Sequence, residues 1–131
     1  MPKPKGGMMY RRTDEADAVM AVAGNYYSAM VDADEAELRR VFHPRASVIG
    51  NFDGALEFTN LDEFIASTSD AKTGDRPFEY HVDRLVLVGD TAVITVGGYC
   101  YGTWITDHLS MIKIDENWRI VAKTFYAHPH E

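Results

Sequence analysis

The sequence predicts an α+β fold, a cone-shaped, curved antiparallel sheet wrapped around one long N-terminal helix with two shorter helices beside it. Two observations predict it. Ala16, Val19, Met20, Ala23, Tyr26, Tyr27 and Met30 recur at helical spacing and mark one apolar stripe. From Glu79 onward, four long alternating stretches follow one another across short turns at Gly89-Asp90, near Gly102, and at Asp115-Glu116-Asn117. Helices first and consecutive hairpin strands after them argue for an α+β domain rather than a parallel sheet.

The elements follow in order. Residues 1–12 hold Pro2, Pro4, Gly6 and Gly7 among scattered basic residues, which reads as a flexible tail. The domain proper spans 13–128, and 129–131 form a short C-terminal tail. Thr13 or Asp14 caps the first helix with a side-chain oxygen, and Asp14, Glu15 and Asp17 complement the positive end of its dipole. Asp34 and Glu37 form a capping box for a second helix, Glu35 to Phe42, which Pro44 stops. Ala46 to Phe52 reads as a strand, Asp53-Gly54 as a turn, and Ala55 to Thr59 as a returning strand. Asn60 and Glu63 repeat the capping pattern before a third helix, Leu61 to Thr68, anchored by Phe64 and Ile65. Ser69 to Pro77 is rich in turn formers and reads as a loop.

Composition limits the function. A chain of 131 residues, 46% hydrophobic and 25% charged, suits one globular domain with a core of its own. A net charge of -7 argues against nucleic-acid binding, which draws its affinity from clustered Lys and Arg. Cys100 is the lone cysteine, so no disulfide forms within the chain, and it reads as a buried, unreactive thiol. With neither a membrane-length apolar run nor a signal-like segment, the expected location is the cytoplasm, away from membranes. His128 and His130 flank Pro129 without a third ligand, and no Gly-rich phosphate loop or nucleophile elbow is present, so neither metal nor cofactor is expected.

Strand alternation sorts the side chains into two faces. Val88 opposite Thr91, Tyr101 opposite Trp104, and an odd-length last turn put Leu85, Leu87, Ala92, Ile94, Val96, Leu109, Met111, Val121 and Phe125 on one aliphatic face toward the helices. Asp107 and Lys123 fall on that face, opposite or diagonal on neighbouring strands. The other face carries Val93, Thr95, Tyr99, Trp104, Thr106, His108, Ile112, Trp118, Ile120, Thr124 and Tyr126. Rich in aromatics and poor in charge, it suits the interface of a homodimer.

Several segments together resemble the nuclear-transport-factor-2-like superfamily, in its lumazine-binding-like and polyketide-cyclase-like (SnoaL-like) branch. They are Tyr26-Tyr27 before Asp32-Ala33-Asp34, Phe42-His43-Pro44-Arg45-Ala46, Gly89-Asp90-Thr91-Ala92-Val93, Thr106-Asp107-His108-Leu109 and Trp118-Arg119-Ile120-Val121-Ala122-Lys123. The resemblance covers about residues 14–127 and implies a cystatin-like cone with a pocket. It leaves the chemistry open, because one scaffold hosts isomerases, cyclases, dehydratases, epoxide hydrolases and inert binding proteins. Tyr26 stands where the ketosteroid-isomerase branch keeps an oxyanion-binding tyrosine, and Asp107 stands near its second acid. Gly50 occupies the place of that branch's catalytic aspartate, a departure that argues against the same reaction here.

The candidate catalytic residues are therefore Asp107, Lys123 and Tyr26. A carboxylate on an apolar face suits proton transfer, whereas a carboxylate paired with lysine also suits a structural tie between strands. Tyr26, Met30, Phe42, Val48, Phe64, His81, Leu109, Met111 and Phe125 are the candidate ligand-binding residues, with His81 at the mouth beside Asp83. Three functions remain open at this point. The first is a protein that encloses a small apolar or aromatic ligand. The second is a cofactor-independent lyase, isomerase or hydrolase using Asp107 as acid or base. The third is a structural or protein-interaction module.

Overall fold

The computed structural model describes residues 5–71, 79–100 and 102–129. Three helices, α1 (Lys5–Asp32), α2 (Glu35–Val41) and α3 (Leu61–Ala71), accompany six strands. These are β1 (Phe42–Phe52), β2 (Ala55–Asn60), β3 (Glu79–Val88), β4 (Thr91–Cys100), β5 (Thr103–Ile114) and β6 (Asn117–Ala127). They form one curved, unclosed sheet in the order β2-β1-β6-β5-β4-β3. Every neighbouring pair is antiparallel except β1 with β6, so the sheet is mixed where an antiparallel one was expected. The exception is topological: β2 pairs on one side of β1, and the last strand, running along β1, takes the other.

Helix α1 starts at Lys5 rather than at Thr13, so the expected tail of 1–12 is helical from residue 5, while residues 1–4 lie outside the described part. Once a helix is nucleated, each added residue gains a hydrogen bond at little cost, so it propagates through 5–12 despite Gly6 and Gly7. The Asn60–Glu63 capping box forms in full, whereas at Asp34 only the N-cap half forms: its own N–H donates to the Ala29 carbonyl, and the Glu37 carboxylate pairs with Arg40. Asp34 accepts from the Glu37 N–H at 3.2 Å, and Asn60 and Glu63 exchange bonds of 2.8 and 2.9 Å. Helix α2 ends at Val41, and β1 starts at once with Phe42, which packs its ring into the core. Pro44, which lacks an N–H, falls in a stretch between Phe42 and Ser47 where the ladder with β6 is interrupted. Helix α3 runs on to Ala71, past the expected start of the loop at Ser69, and residues 72–78 lie outside the described part.

Turn chemistry decides which side chains face the helices. Gly89, at φ 58°, opens the two-residue turn that sets Val88 opposite Thr91, as expected. Tyr99, not Tyr101, pairs with Trp104, a two-residue offset that leaves every face unchanged. The last hairpin differs more. Asp115 and Glu116 both adopt positive φ and make a two-residue turn, so Ile114 pairs with Asn117 and Met111 with Ile120. Trp118 and Ile120 are therefore buried against the helices, not displayed on the outer face. A bulge at Val121 then restores the expected phase, and Leu109 pairs with Lys123 and Asp107 with Phe125.

The core lies between the helices and the concave side of the sheet, with Tyr26, Tyr27, Met30, Leu38, Phe42, Ile94, Leu109, Met111 and Ile120 all essentially inaccessible. No helix among the described residues is long and apolar enough to cross a membrane.

Candidate functional site

The site begins with a carboxylate in the middle of β5. Asp107 is fully buried, and Lys123 is only 4% exposed on the adjacent strand. The register places them diagonally, since Asp107 faces Phe125 while Lys123 faces Leu109. A buried charge requires partners, and α1 supplies them. Tyr26 and Tyr27 are consecutive on that helix, and both hydroxyls reach the same carboxylate oxygen. Tyr27 donates to Asp107 Oδ2 at 2.7 Å and Tyr26 at 3.0 Å. The Tyr26 oxygen in turn accepts from Lys123 Nζ at 2.6 Å. The three groups form a relay, ammonium to phenol to carboxylate.

Asp107 Oδ1 is treated differently. It is buried and has no hydrogen-bond partner, the one such side-chain atom among the described residues. Such an orphan acceptor costs about 1–3 kcal/mol, more when charged, unless a ligand supplies the donor. Asp107 and Lys123 both line a partly open cavity of about 200 Å³, together with Met30, Phe52, Glu57, Phe64, Ser67, Ile105 and Phe125. Lys123 Nζ lies 4.4 Å from the Phe64 ring centre and 5.0 Å from those of Tyr26 and Phe125. Three π faces therefore stabilise positive charge at that nitrogen.

Rigid packing holds the relay. The Tyr27 ring stacks flat on Tyr80 at 5.2 Å, and a Cβ on Gly98, the register partner of Tyr80, would come within 2.7 Å of one of its ring carbons. Tyr26 meets Tyr27 and Phe42 edge-on at 4.8 and 5.6 Å. At Gly50 in β1, a Cβ would run into the Phe125 carbonyl oxygen and would stand 2.5 Å from its ring. Phe125 occupies that space, so no side chain fits there.

Of the residues singled out in the sequence, Asp107, Lys123, Met30, Phe64 and Phe125 line the cavity. Tyr26 stands behind them, touching both charged groups. Phe42, Val48, Leu109 and Met111 are not cavity residues: they are buried in the core one layer away. His81 is also displaced. A bulge between Val82 and Arg84 turns it to the outer face, where its ring lies 6.1 Å from Trp104 and its Nε2 is 3.0 Å from Asp83. Tyr27, Phe52, Glu57, Ser67 and Ile105 were missed. Alternation from Asp107 would have found Ile105, two residues earlier on the same face. Nothing in the sequence signals Glu57, which depends on how the short β2 folds back. Among the described residues no cluster of His, Cys, Asp and Glu is arranged to hold a metal ion. The Cys100 side chain and His130 lie outside the described part.

Comparison with known proteins follows from this geometry. The family described as "Putative lumazine-binding" matches residues 14–126. A curated relative, Aldolase FrzH of a Cladobotryum species, is 31% identical over 122 residues, covering 89% of this chain and 94% of its own. Among solved structures, an NTF2-like protein of unknown function from Silicibacter pomeroyi is 27% identical with a TM-score of 0.85, covering 89% of this chain and 98% of its own. A ketosteroid-isomerase-like protein from Erwinia carotovora atroseptica shares the fold at a TM-score of 0.71 and 13% identity, covering 87% of this chain and 96% of its own. The chain belongs to this lumazine-binding-named family, within the NTF2-like superfamily.

Proposed function

We propose that the cavity binds a small, largely apolar ketone or aldehyde and that the protein is a cofactor-independent carbon–carbon lyase of the aldolase type. The observation that carries this reading is the single orphan oxygen. Asp107 Oδ2 is held by two tyrosines, while Oδ1 is left without a partner on a residue that lines the cavity. An acceptor held in that way suits removal of a proton from the carbon beside a carbonyl. Lys123 provides the electrophilic end, drawing electrons toward the carbonyl oxygen as the α-carbon loses its proton. The resulting nucleophilic carbon adds to a second carbonyl, or, in reverse, leaves it. At about 200 Å³ the cavity is below the roughly 300–1,000 Å³ of sites for drug-sized ligands, which favours a compact substrate. The name of the curated relative favours a lyase over simple ligand storage.

The test needs no knowledge of the natural electrophile. Deuterium exchange at the α-carbon of small cyclic and aryl ketones is followed by NMR in D₂O. The wild-type protein should accelerate it, and Asp107→Asn should reduce the acceleration about 100- to 10,000-fold. No acceleration and no ligand-induced rise in melting temperature across the panel would end this reading.

The protein also acts, on this reading, as a homodimer through the outer sheet face. That face leaves Trp104, Tyr126, Val93, Ile112 and Val86 each 38–48% exposed, with the uncharged or weakly polar Thr95, Thr106, His108 and Thr124 between them across β3 to β6. Ile112→Glu should convert dimers to monomers in sedimentation, and a wild-type monomer at micromolar concentration would refute the assembly.

A further inference from the structure

We infer that Lys123 is itself the nucleophile, condensing with the substrate carbonyl to form a Schiff base on which the carbon–carbon step runs. The inference rests on the carbonyl reading above, keeps Asp107 as the base, and replaces the polarising role of the Lys123 ammonium by a covalent iminium on the same nitrogen.

The relay supplies the neutral amine. Lys123 Nζ donates to the Tyr26 oxygen at 2.6 Å, and the Tyr26 hydroxyl donates to Asp107 Oδ2 at 3.0 Å. One proton passed to the phenol oxygen, with the phenol proton passed on to Oδ2, leaves a neutral amine and a neutral carboxylic acid. No solvent is needed, and the shift removes two buried charges from an apolar shell at once. The amine's lone pair at first accepts from the Tyr26 hydroxyl, and a turn about the Cε–Nζ bond aims it into the cavity that Lys123 lines, where a carbonyl compound fits.

The chemistry balances without an oxidant, reductant or cofactor. The nitrogen lone pair forms a C–N bond, and the carbonyl π electrons move to oxygen, which takes a proton from the nitrogen. The carbinolamine hydroxyl then leaves as water, with the proton held by Asp107. The products are an iminium ion, water and the Asp107 carboxylate. That carboxylate takes the α-proton, and the C–H electrons move into the iminium to give an enamine. The enamine carbon attacks a second carbonyl, whose oxygen takes the proton from Asp107. Water then hydrolyses the product iminium and restores the amine.

The aromatic shell fits this role. Phe64, Tyr26 and Phe125 surround Nζ at 4.4–5.0 Å, and they favour a cation at that point. The protonated Schiff base is a cation on the same nitrogen, and the three rings favour it over the neutral imine. The rings therefore stabilise the intermediate without requiring the resting lysine to stay protonated.

The experiment runs trapping and exchange on one sample. Wild-type protein is incubated with cyclohexanone in D₂O, a portion is treated with sodium cyanoborohydride, and the trapped protein is digested and mapped by mass spectrometry. α-Exchange is followed by NMR in the untreated remainder. A single cyclohexyl adduct at Lys123 is expected, with the surface lysines unmodified. Lys123→Arg should show neither adduct nor exchange, and Tyr26→Phe should slow adduct formation at least about tenfold, because its relay is cut. Exchange without an adduct in the wild type, or exchange that survives Lys123→Arg, would overturn the Schiff base and leave the carbonyl reading standing. Absence of both would overturn the two together. The wild-type map decides the question even if a variant fails to fold.

Discussion

Replacing Tyr27 by phenylalanine isolates one of the two hydrogen bonds that hold the carboxylate at the end of the relay. The substitution removes a hydroxyl and leaves the ring stacked on Tyr80 at 5.2 Å. What is lost is the 2.7 Å bond to Asp107 Oδ2. A hydrogen bond to a charged group contributes about 1.5–3 kcal/mol. Because Tyr26 still donates to the same oxygen at 3.0 Å, the carboxylate is weakened but not stripped. Unfolding entropy of about 2.1 cal/mol/K per residue over 131 residues gives about 0.28 kcal/mol per degree, so the melting temperature should fall by about 5–11 °C. Tyr26→Phe should cost more, because it removes a donor from Asp107 and an acceptor from Lys123 in one step. The double variant should cost more than the sum, by about 0.5–3 kcal/mol, because the second change removes the last donor from Oδ2. Thermal and urea unfolding at pH 7, with the urea slope unchanged, measure all three. A Tyr27→Phe protein within about 0.5 kcal/mol of wild type would show that the buried oxygen does not depend on that hydroxyl, and would refute the two-tyrosine hold on Asp107 Oδ2.

Two other changes test how α1 is fixed to the sheet. Gly98→Ala should cost about 1–3 kcal/mol, because its Cβ would stand 2.7 Å from a ring carbon of the fully buried Tyr27; a stability equal to wild type would refute the close approach. Glu15 accepts from Trp118 Nε1 at 2.7 Å and from Lys113 Nζ at 2.6 Å, and the Lys113 pKa is raised chiefly by that hydrogen bond. A raised lysine contributes stability in full below its unfolded value of about 10.4 and loses it as the pH climbs through the folded value. The wild type should therefore lose melting temperature faster than Glu15→Gln as pH rises above about 10.4, and parallel curves would refute the tie.

The fold was legible because its signals are local and repeated. The Asp34 N-cap, the Asn60–Glu63 capping box, the Gly89-Asp90 turn and the apolar stripe of α1 each specify their own geometry from a few adjacent residues. What escaped depends on distant partners. Whether β1 lies beside β6, and in which direction, is settled by the whole sheet and not by any residue of either strand. The cavity shows the same division. Asp107 and Lys123 stand out because a charge on an aliphatic face is a local anomaly. Tyr27 and Glu57 look ordinary until α1 and β2 are seated against β5 and β6.

The position of Lys123 was nevertheless reached through two errors that cancel. An odd-length turn was expected after Ile114, with an unbroken strand beyond it. The protein instead makes a two-residue turn and inserts one extra residue, Val121, between the pairs Met111–Ile120 and Ser110–Ala122. Each difference moves side chains to the other face, and together they return Lys123 and Phe125 to the concave side. Between the turn and the bulge only one shift applies, which is why Trp118 and Ile120 were misplaced. This phase predicts a specific inequality. Ile120 is wholly buried opposite Met111, so Ile120→Ala should cost about 2–5 kcal/mol through lost burial and the cavity left behind. Val121 is half-buried at the bulge, and Val121→Ala should cost about 1 kcal/mol. The unbroken odd–odd pairing predicts the opposite order, with Val121 in the core and Ile120 on the outer face. Urea unfolding of the two variants separates the cases. A cost at Val121 equal to or greater than that at Ile120 would refute the bulge, and with it the arrangement that brings Lys123 into reach of Tyr26 and the cavity.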